Sequence, residues 1–394
     1  MINIDFRERL MTTFNHEEPD RVPIMGLIID PTTSNLILDK KPQDLAKLLK
    51  KPVLKGIVKA AMNRSSVWYN FFLKQIRDCL DSSIKLGFDA NWAIYTKMMV
   101  QKDPSTKLGM VFHDLNGRVW DIGTDKLGNP LIGYTRGLLK TEEEWDDWIN
   151  KKEPLFEKFL KNMENFYKTI VDEYSSKIYP ICYPGSGPFE NSWQPMGFST
   201  FAKYTIKKPK FIKKVIDFYG DFYIKCFDAI CKSDVEIVLG GDDLGFKTGP
   251  LMNPERYDKL FGETYTRLAD FLHAKGKKLV WHTCGQIYEF LPYFVKWGFD
   301  GIITMEPTAG MDVGKVREKV GHDLVLIGNL DVSQLLVNGS KEEIQNEVKS
   351  CIRKAAKGGG YVLSACHSHP DVDPERLKWM VEAGHEFGEY PIKI

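Results

Sequence analysis

The residues Trp281-His282-Thr283-Cys284-Gly285 set an imidazole and a thiol two positions apart, beside a glycine. They close a short β-rich run, residues 278–284, that reads as a strand. Successive side chains on a strand point to opposite faces, so His282 and Cys284 project together while Trp281 and Thr283 face the other way. A nitrogen and a sulfur donor on one side of a strand end form a two-point metal clamp. Gly285 lets the chain turn sharply just beyond it. Alone, the pair is equally compatible with packing, because cysteine is among the most buried residue types. Cys366 shifts the balance, since it ends a different run, residues 361–366. Three donors of mixed nitrogen and sulfur type with an open fourth position are the pattern of catalytic zinc, and two thiolates disfavour magnesium or calcium. The expected metal ligands are therefore His282, Cys284 and Cys366, with His367 or His369 able to replace a cysteine.

Carboxylates follow the same logic. Asp242-Asp243 ends a strongly apolar run, so one of the two should reach the same rim, to bind substrate, orient a ligand or cap a helix. Glu306, in Thr-Met-Glu-Pro, is a candidate fourth ligand or general acid–base group. The reading assigns Glu306 and Asp242 to catalysis, and Tyr183, Asp243 and Asn329 to substrate binding. Asp331 could equally begin a helix. Cys79, Cys226, Cys231 and Cys351 fall in helical patterns and read as packing, and Cys182 reads as wall material on a strand. No phosphate loop, nicotinamide fingerprint or Ser-His-Asp order accompanies these residues.

Eight short strand patterns must carry these groups: residues 22–28, 90–95, 178–183, 235–240, 278–284, 301–306, 324–328 and 361–366. Longer helical patterns separate them, which predicts parallel strands with helical crossovers, an α/β fold that closes as a (β/α)8 TIM barrel. Active sites of such barrels lie at the C-terminal strand ends, where the candidate ligands, catalytic groups and substrate-binding residues above fall. Residues 1–19 read as an amphipathic helix packed on the outside. Residues 107–141 carry turn signals at Leu115-Asn116-Gly117 and Leu127-Gly128-Asn129-Pro130, and predict an inserted antiparallel hairpin or meander. No linker divides the chain, so residues 1–394 are expected to form one embellished domain.

Apolar residues make up 43% and charged residues 27% of the 394, ordinary globular usage. A formal net charge of +1 gives no footprint for nucleic acid. The basic stretch from Lys203 to Lys214 reads as a solvated loop and helix start. No run approaches the length of a membrane span, and the charged N-terminus is unlike a signal peptide. Seven scattered cysteines without framework spacing fit a reducing compartment, so a cytoplasmic location is expected. The oligomeric state is not set by the sequence, and a homodimer is allowed.

The chain resembles the uroporphyrinogen decarboxylase superfamily along nearly its whole length. The resemblance runs through RERLMTTFNHEEPDRVPI, GGDDLGFKTGPLMNPERY, GNLDVSQLL and DPERLKWMVEAGHEFGEYP, in order. Decarboxylases of that family carry an Arg-Gln-Ala-Gly-Arg segment after the first strand. Here the region reads Ile28-Ile29-Asp30-Pro31-Thr32-Thr33, without the cations that a polyacidic porphyrinogen needs. Their aspartate after the Phe-Asp-Ala motif is also missing from the stretch Phe88 to Thr96. His282, Cys284 and Cys366 instead match the zinc ligands of the corrinoid-linked methyltransferase branch, although His367-Ser368-His369 departs from the glycine-rich sequence of that branch. The resemblance implies zinc and a corrinoid carried by a partner protein. It implies methyl transfer between cobalt and a small molecule, and the added length, the insertion and aromatic residues such as Tyr183 and Trp193 favour an aryl methyl ether ahead of a thiol such as coenzyme M. The alternatives are a metal-independent decarboxylase with an altered substrate and a non-catalytic barrel that binds a corrinoid protein.

Overall fold

A computed structural model describes residues 4–40, 52–106, 109–124 and 130–394. Eight parallel strands close a barrel: β1 (Ile24–Met25), β2 (Ala90–Ile94), β7 (Tyr179–Tyr183), β8 (Ile237–Gly241), β11 (Lys278–Thr283), β12 (Gly301–Thr304), β13 (Val325–Leu330) and β14 (Tyr361–Ala365). Their order around the barrel is β1-β14-β13-β12-β11-β8-β7-β2, and β1 pairs with β2 to shut it. Each falls within or against one of the eight patterns expected from sequence. Alternation decides which side chains fill the interior: Met25, Trp92, Ile181, Leu239, Val280 and Ile327 belong to one buried inner cluster. The outward set joins the layer beneath the helices. Trp281 is there, stacked on Phe299 at 4.8 Å and edge-on to Tyr265 at 5.0 Å.

The N-terminal helix, Phe6–Phe14, corrects one expectation. It does not lie on the outside of the helical ring. Leu10 and Phe14 are fully buried in the inner cluster with the barrel side chains, so the helix plugs one end of the barrel. A buried ionic knot ties it there. Arg9 donates to Asp20 and to Asp89, each at 2.7 Å, and Arg21 also donates to Asp89 at 2.7 Å. Asp89 precedes β2, which puts the plug at the N-terminal strand ends and leaves the opposite mouth open.

The insertion is larger than expected and starts earlier. Strands β3 (Met98–Lys102), β4 (Met110–Asp114), β5 (Arg118–Thr124) and β6 (Pro130–Gly137) form an antiparallel sheet in the order β3-β4-β5-β6. The turn at Asn116-Gly117 joins β4 to β5, with Gly117 at φ +85°. Most of the second turn signal, residues 127–129, lies outside the described residues. The sheet docks at the barrel mouth through buried polar contacts: Asn116 donates to Asn191 at 2.8 Å, and Arg118 donates to Gln194 at 2.9 Å. A small hairpin, β9 (Gly245–Phe246) and β10 (Gly249–Pro250), follows β8. The basic stretch lies on helices Phe198–Lys207 and Pro209–Cys231, where Lys213 and Lys214 pair with Asp217 and Asp146. All seven cysteines are free thiols, and none of the described helices is long and apolar enough to cross a membrane.

Candidate metal centre and active site

His282 occupies an inward position on β11, and Cys284 follows the strand end on the same side. Their donor atoms approach as the alternation requires, His282 Nε2 to Cys284 Sγ at 3.5 Å. Gly285 then turns at φ +85°, and a side chain there would strike the backbone of Gly245 at 2.3 Å, so only glycine fits between β11 and the hairpin. Thr304 Oγ1 lies 2.8 Å from His282 Nδ1, which fixes the ring and leaves Nε2 facing Cys284. Thr304 and Met305 themselves sit at φ +110° and +52°, strained values for residues with side chains, at the end of β12 beside the site. Asn329 braces this bend by donating to the Met305 carbonyl at 3.0 Å.

Acidic groups surround the pair. Asp243 accepts from the Cys284 amide at 3.1 Å and lies 3.7 Å from His282 Nε2. Glu306 accepts from the Gly285 amide at 2.6 Å and bonds His367 through its other oxygen. Two overlapping sets of donors result, Asp243 with His282 and Cys284, and Cys284 with Glu306 and His367, each with all ligand atoms within 4.8 Å of one another. Burial holds His282 below the usual imidazole range, in the neutral form that ligates metals. Burial first, then the charges of Asp243 and Glu306, pushes the Cys284 thiol far above its usual range. A divalent cation would reverse that balance, and the residues present fit one.

A second acidic pair lies deeper. Asp242 is fully buried and accepts from the amides of Phe189 and Glu190 at 3.1 and 2.8 Å and from the Tyr265 hydroxyl at 2.6 Å. It therefore caps helix Pro188–Trp193, and a side chain at Gly187 would strike its carboxylate at 2.3 Å. Burial raises its pKa to about 7 against the pull of these donors. Glu190, held by Gln194 at 2.6 Å, is raised to about 8 by burial and then by the charges of Asp243 and Asp242.

Residues 148–387, more than half of the chain, match the model of the uroporphyrinogen decarboxylase (URO-D) family. The chain belongs to that family. It is 25% identical over 219 residues to methylcobamide:CoM methyltransferase MtaA of Methanosarcina barkeri, a match covering 55% of this chain and 61% of that protein. It is likewise 25% identical over 219 residues to the methylated-thiol–coenzyme M methyltransferase of Methanosarcina mazei, covering 55% and 56%. Uroporphyrinogen decarboxylase of Mannheimia succiniciproducens is 28% identical over 247 residues, covering 59% and 66%. The chain thus spans less than two thirds of the length of the curated relatives it matches first. A solved methyltransferase from Methanosarcina mazei shares the fold, with a TM-score of 0.67 and 17% identity over 98% of this chain and 99% of that one.

Within this URO-D barrel, the structure brings together four of the eight residues assigned roles from sequence. His282, Cys284, Asp243 and Glu306 meet at one rim. Cys366 does not join either donor set: its thiol is buried and donates to the Thr304 carbonyl at 3.0 Å. His367, weighed as a substitute for a cysteine, bonds Glu306 and joins it in the donor set with Cys284. Asn329 is committed to bracing the β12 bend, and Asp331 caps the turn Val332–Leu336. Tyr183 packs edge-on to Trp92 at 5.1 Å, and Trp92 packs edge-on to His282 at 5.2 Å. Sequence reasoning missed Glu190, Thr304 and Trp92 as site residues. Glu190 was within reach, because Gly187-Pro188 just after β7 signals a helix start with an acid in its first turn. Thr304 was not, since its role depends on a bend of the chain at positive φ.

Proposed function

We propose that this protein moves a methyl group between a small molecule and the cobalt of a separate corrinoid protein, using zinc held at His282 and Cys284. The observation that carries the reading is the clamp itself: His282 Nε2 faces Cys284 Sγ while Thr304 occupies the other ring nitrogen. The names of the two methanogen relatives, a methylcobamide:CoM methyltransferase and a methylated-thiol–coenzyme M methyltransferase, support the same chemistry. Cys366 is the third ligand of this proposal, reached by turning its side chain away from the Thr304 carbonyl, with Glu306 or Asp243 at the remaining position.

When bound, zinc acts as a Lewis acid that stabilises a thiolate or a departing oxygen at neutral pH. The chain's residues supply the rest. Thr304 holds the imidazole orientation, and Asp243 and Glu306 fix the backbone of Cys284 and Gly285. Glu190 keeps a proton near neutral pH and can give it to a leaving oxygen, with Asp242 anchoring the helix that carries it. With an aryl methyl ether as donor, the methyl–oxygen bond breaks, its electron pair stays on the oxygen, and the methyl group goes to the reduced cobalt. The corrinoid protein docks over the barrel mouth, in a cytoplasm whose redox state suits free thiols.

The test is anaerobic incubation of zinc-loaded protein with reduced cobalamin and a methoxylated aromatic, and of methylcobalamin with coenzyme M, followed by absorbance. Methyl transfer in one direction, abolished in Cys284→Ala, is the expected result. No transfer in either direction, or decarboxylation of a porphyrinogen by metal-free protein, overturns the reading.

A further inference from the structure

The inserted sheet grips the helix that carries Glu190. Its β4–β5 turn brings Asn116 and Arg118 against the end of Pro188–Trp193: Asn116 donates to Asn191 at 2.8 Å, and Arg118 Nη1 donates to Gln194 Oε1 at 2.9 Å. Tyr134, on β6, donates to the Gln194 carbonyl at 2.7 Å. Asp242 holds the first turn of the same helix, so both of its ends are fixed. Arg118 is itself buried and locked, with Nε on the Asp114 carboxylate and its own amide donating to Asp114 at 3.0 Å.

This arrangement settles a side chain that could otherwise lie either way round. A guanidinium has donors only, so the Gln194 amide must turn its oxygen to Arg118. Its NH2 group then faces Glu190 and donates to Oε1 at 2.6 Å. A protonated carboxyl accepts such a bond best at its carbonyl oxygen, which leaves the hydroxyl at Oε2. Oε2 has no hydrogen-bond partner among the described residues, and Glu190 keeps partial exposure. Tyr183, Asp243 and Cys284 lie within electrostatic reach of this carboxyl.

We propose that Gln194, turned by Arg118, is a positioning residue that keeps the Glu190 proton on Oε2, the oxygen left free for substrate, and that the inserted sheet belongs to the active site for this reason. The inference rests on the reading of Glu190 as proton donor and adds what aims it. As the methyl–oxygen bond breaks, the departing oxygen keeps the electron pair and takes the Oε2 proton, while the methyl group passes to the reduced cobalt. Glu190 is left a carboxylate, a form that the Gln194 N–H and the charge of Arg118 both favour.

Infrared difference spectra of the purified protein between mildly acid and alkaline pH test the arrangement, with Glu190→Gln identifying the carboxyl band by its loss. Gln194→Met takes the N–H away from Oε1, so the C=O band should move to higher wavenumber. The double variant Asp114→Asn/Arg118→Met removes the buried ion pair as a unit and frees the Gln194 amide to turn, so the single band should broaden or split. Methyl transfer from anisole and para-nitroanisole to reduced cobalamin supplies the second readout. Gln194→Met should lower kcat by about tenfold or more with anisole, whose leaving oxygen needs the proton, at unchanged KM. The loss should be much smaller with para-nitroanisole, whose phenolate leaves unaided. Melting curves check that each variant keeps the fold. A band that stays in place in Gln194→Met, or equal losses of kcat with the two ethers, overturns the inference. Band shifts as expected in a protein that transfers no methyl group sink the reaction and leave the arrangement standing.

Discussion

His282 is ligand-competent because another side chain settles its orientation. Thr304 sits on the far nitrogen at 2.8 Å, so Thr304→Val, which keeps the shape and removes the hydroxyl, should lower metal affinity by about 10–100-fold. Chelator competition measures this, Thr304→Ser should restore affinity, and an unchanged affinity in Thr304→Val would remove Thr304 from the account. Glu190 gives a second prediction. A carboxyl whose folded pKa lies above its unfolded value binds an extra proton in the folded state, so it subtracts stability as pH rises from about 4.5 to about 8. Glu190→Gln should flatten that part of the melting-temperature profile of metal-free protein and raise stability above it. Parallel profiles for the two proteins would contradict the raised pKa of this group. At this scale the sequence was readable wherever strand alternation governs, as at His282 and Cys284. Alternation says less about Cys366 and Asn329, whose side chains here turn to the carbonyls of the Thr304–Met305 bend.

The elements show the same division. All eight barrel strands were legible because each is a short apolar run between polar or glycine residues. The ends moved by one to three residues: β1 reduces to Ile24–Met25, and β13 extends to Leu330. Amphipathicity announced the helix Phe6–Phe14 but not its destination, since a buried face looks alike whether it meets a helical ring or the bottom of a barrel. Its place makes a stability prediction. Leu10 is completely buried against the barrel interior, so Leu10→Ala should cost roughly 2–5 kcal/mol in denaturant unfolding. A loss near zero would mean that the helix is not a plug. The inserted sheet was recognised by its turns, yet its first strand was not, because Met98–Lys102 lacks a turn signal of its own.

Across the whole molecule, two neighbourhoods share one wall. The plug closes the N-terminal end of the barrel, the rim at the other end gathers His282, Cys284, Asp243 and Glu306, and the inserted sheet roofs a cavity beside them. Tyr183, which lines that cavity, packs edge-on to Trp92, and Trp92 packs edge-on to His282. This arrangement was partly legible: the barrel and its rim follow from local pattern, whereas the cavity arises from contacts between residues far apart in sequence, such as Lys97, Asn116 and Phe222. The central claim is that the rim holds a catalytic zinc. Elemental analysis of the purified protein beside its Cys284→Ala and Cys366→Ala variants tests it most directly. The account predicts about one zinc per chain, lost in both variants. A protein without zinc, or with zinc indifferent to Cys284→Ala, would contradict it, and zinc retained only in Cys366→Ala would transfer the third ligand to Glu306 or Asp243.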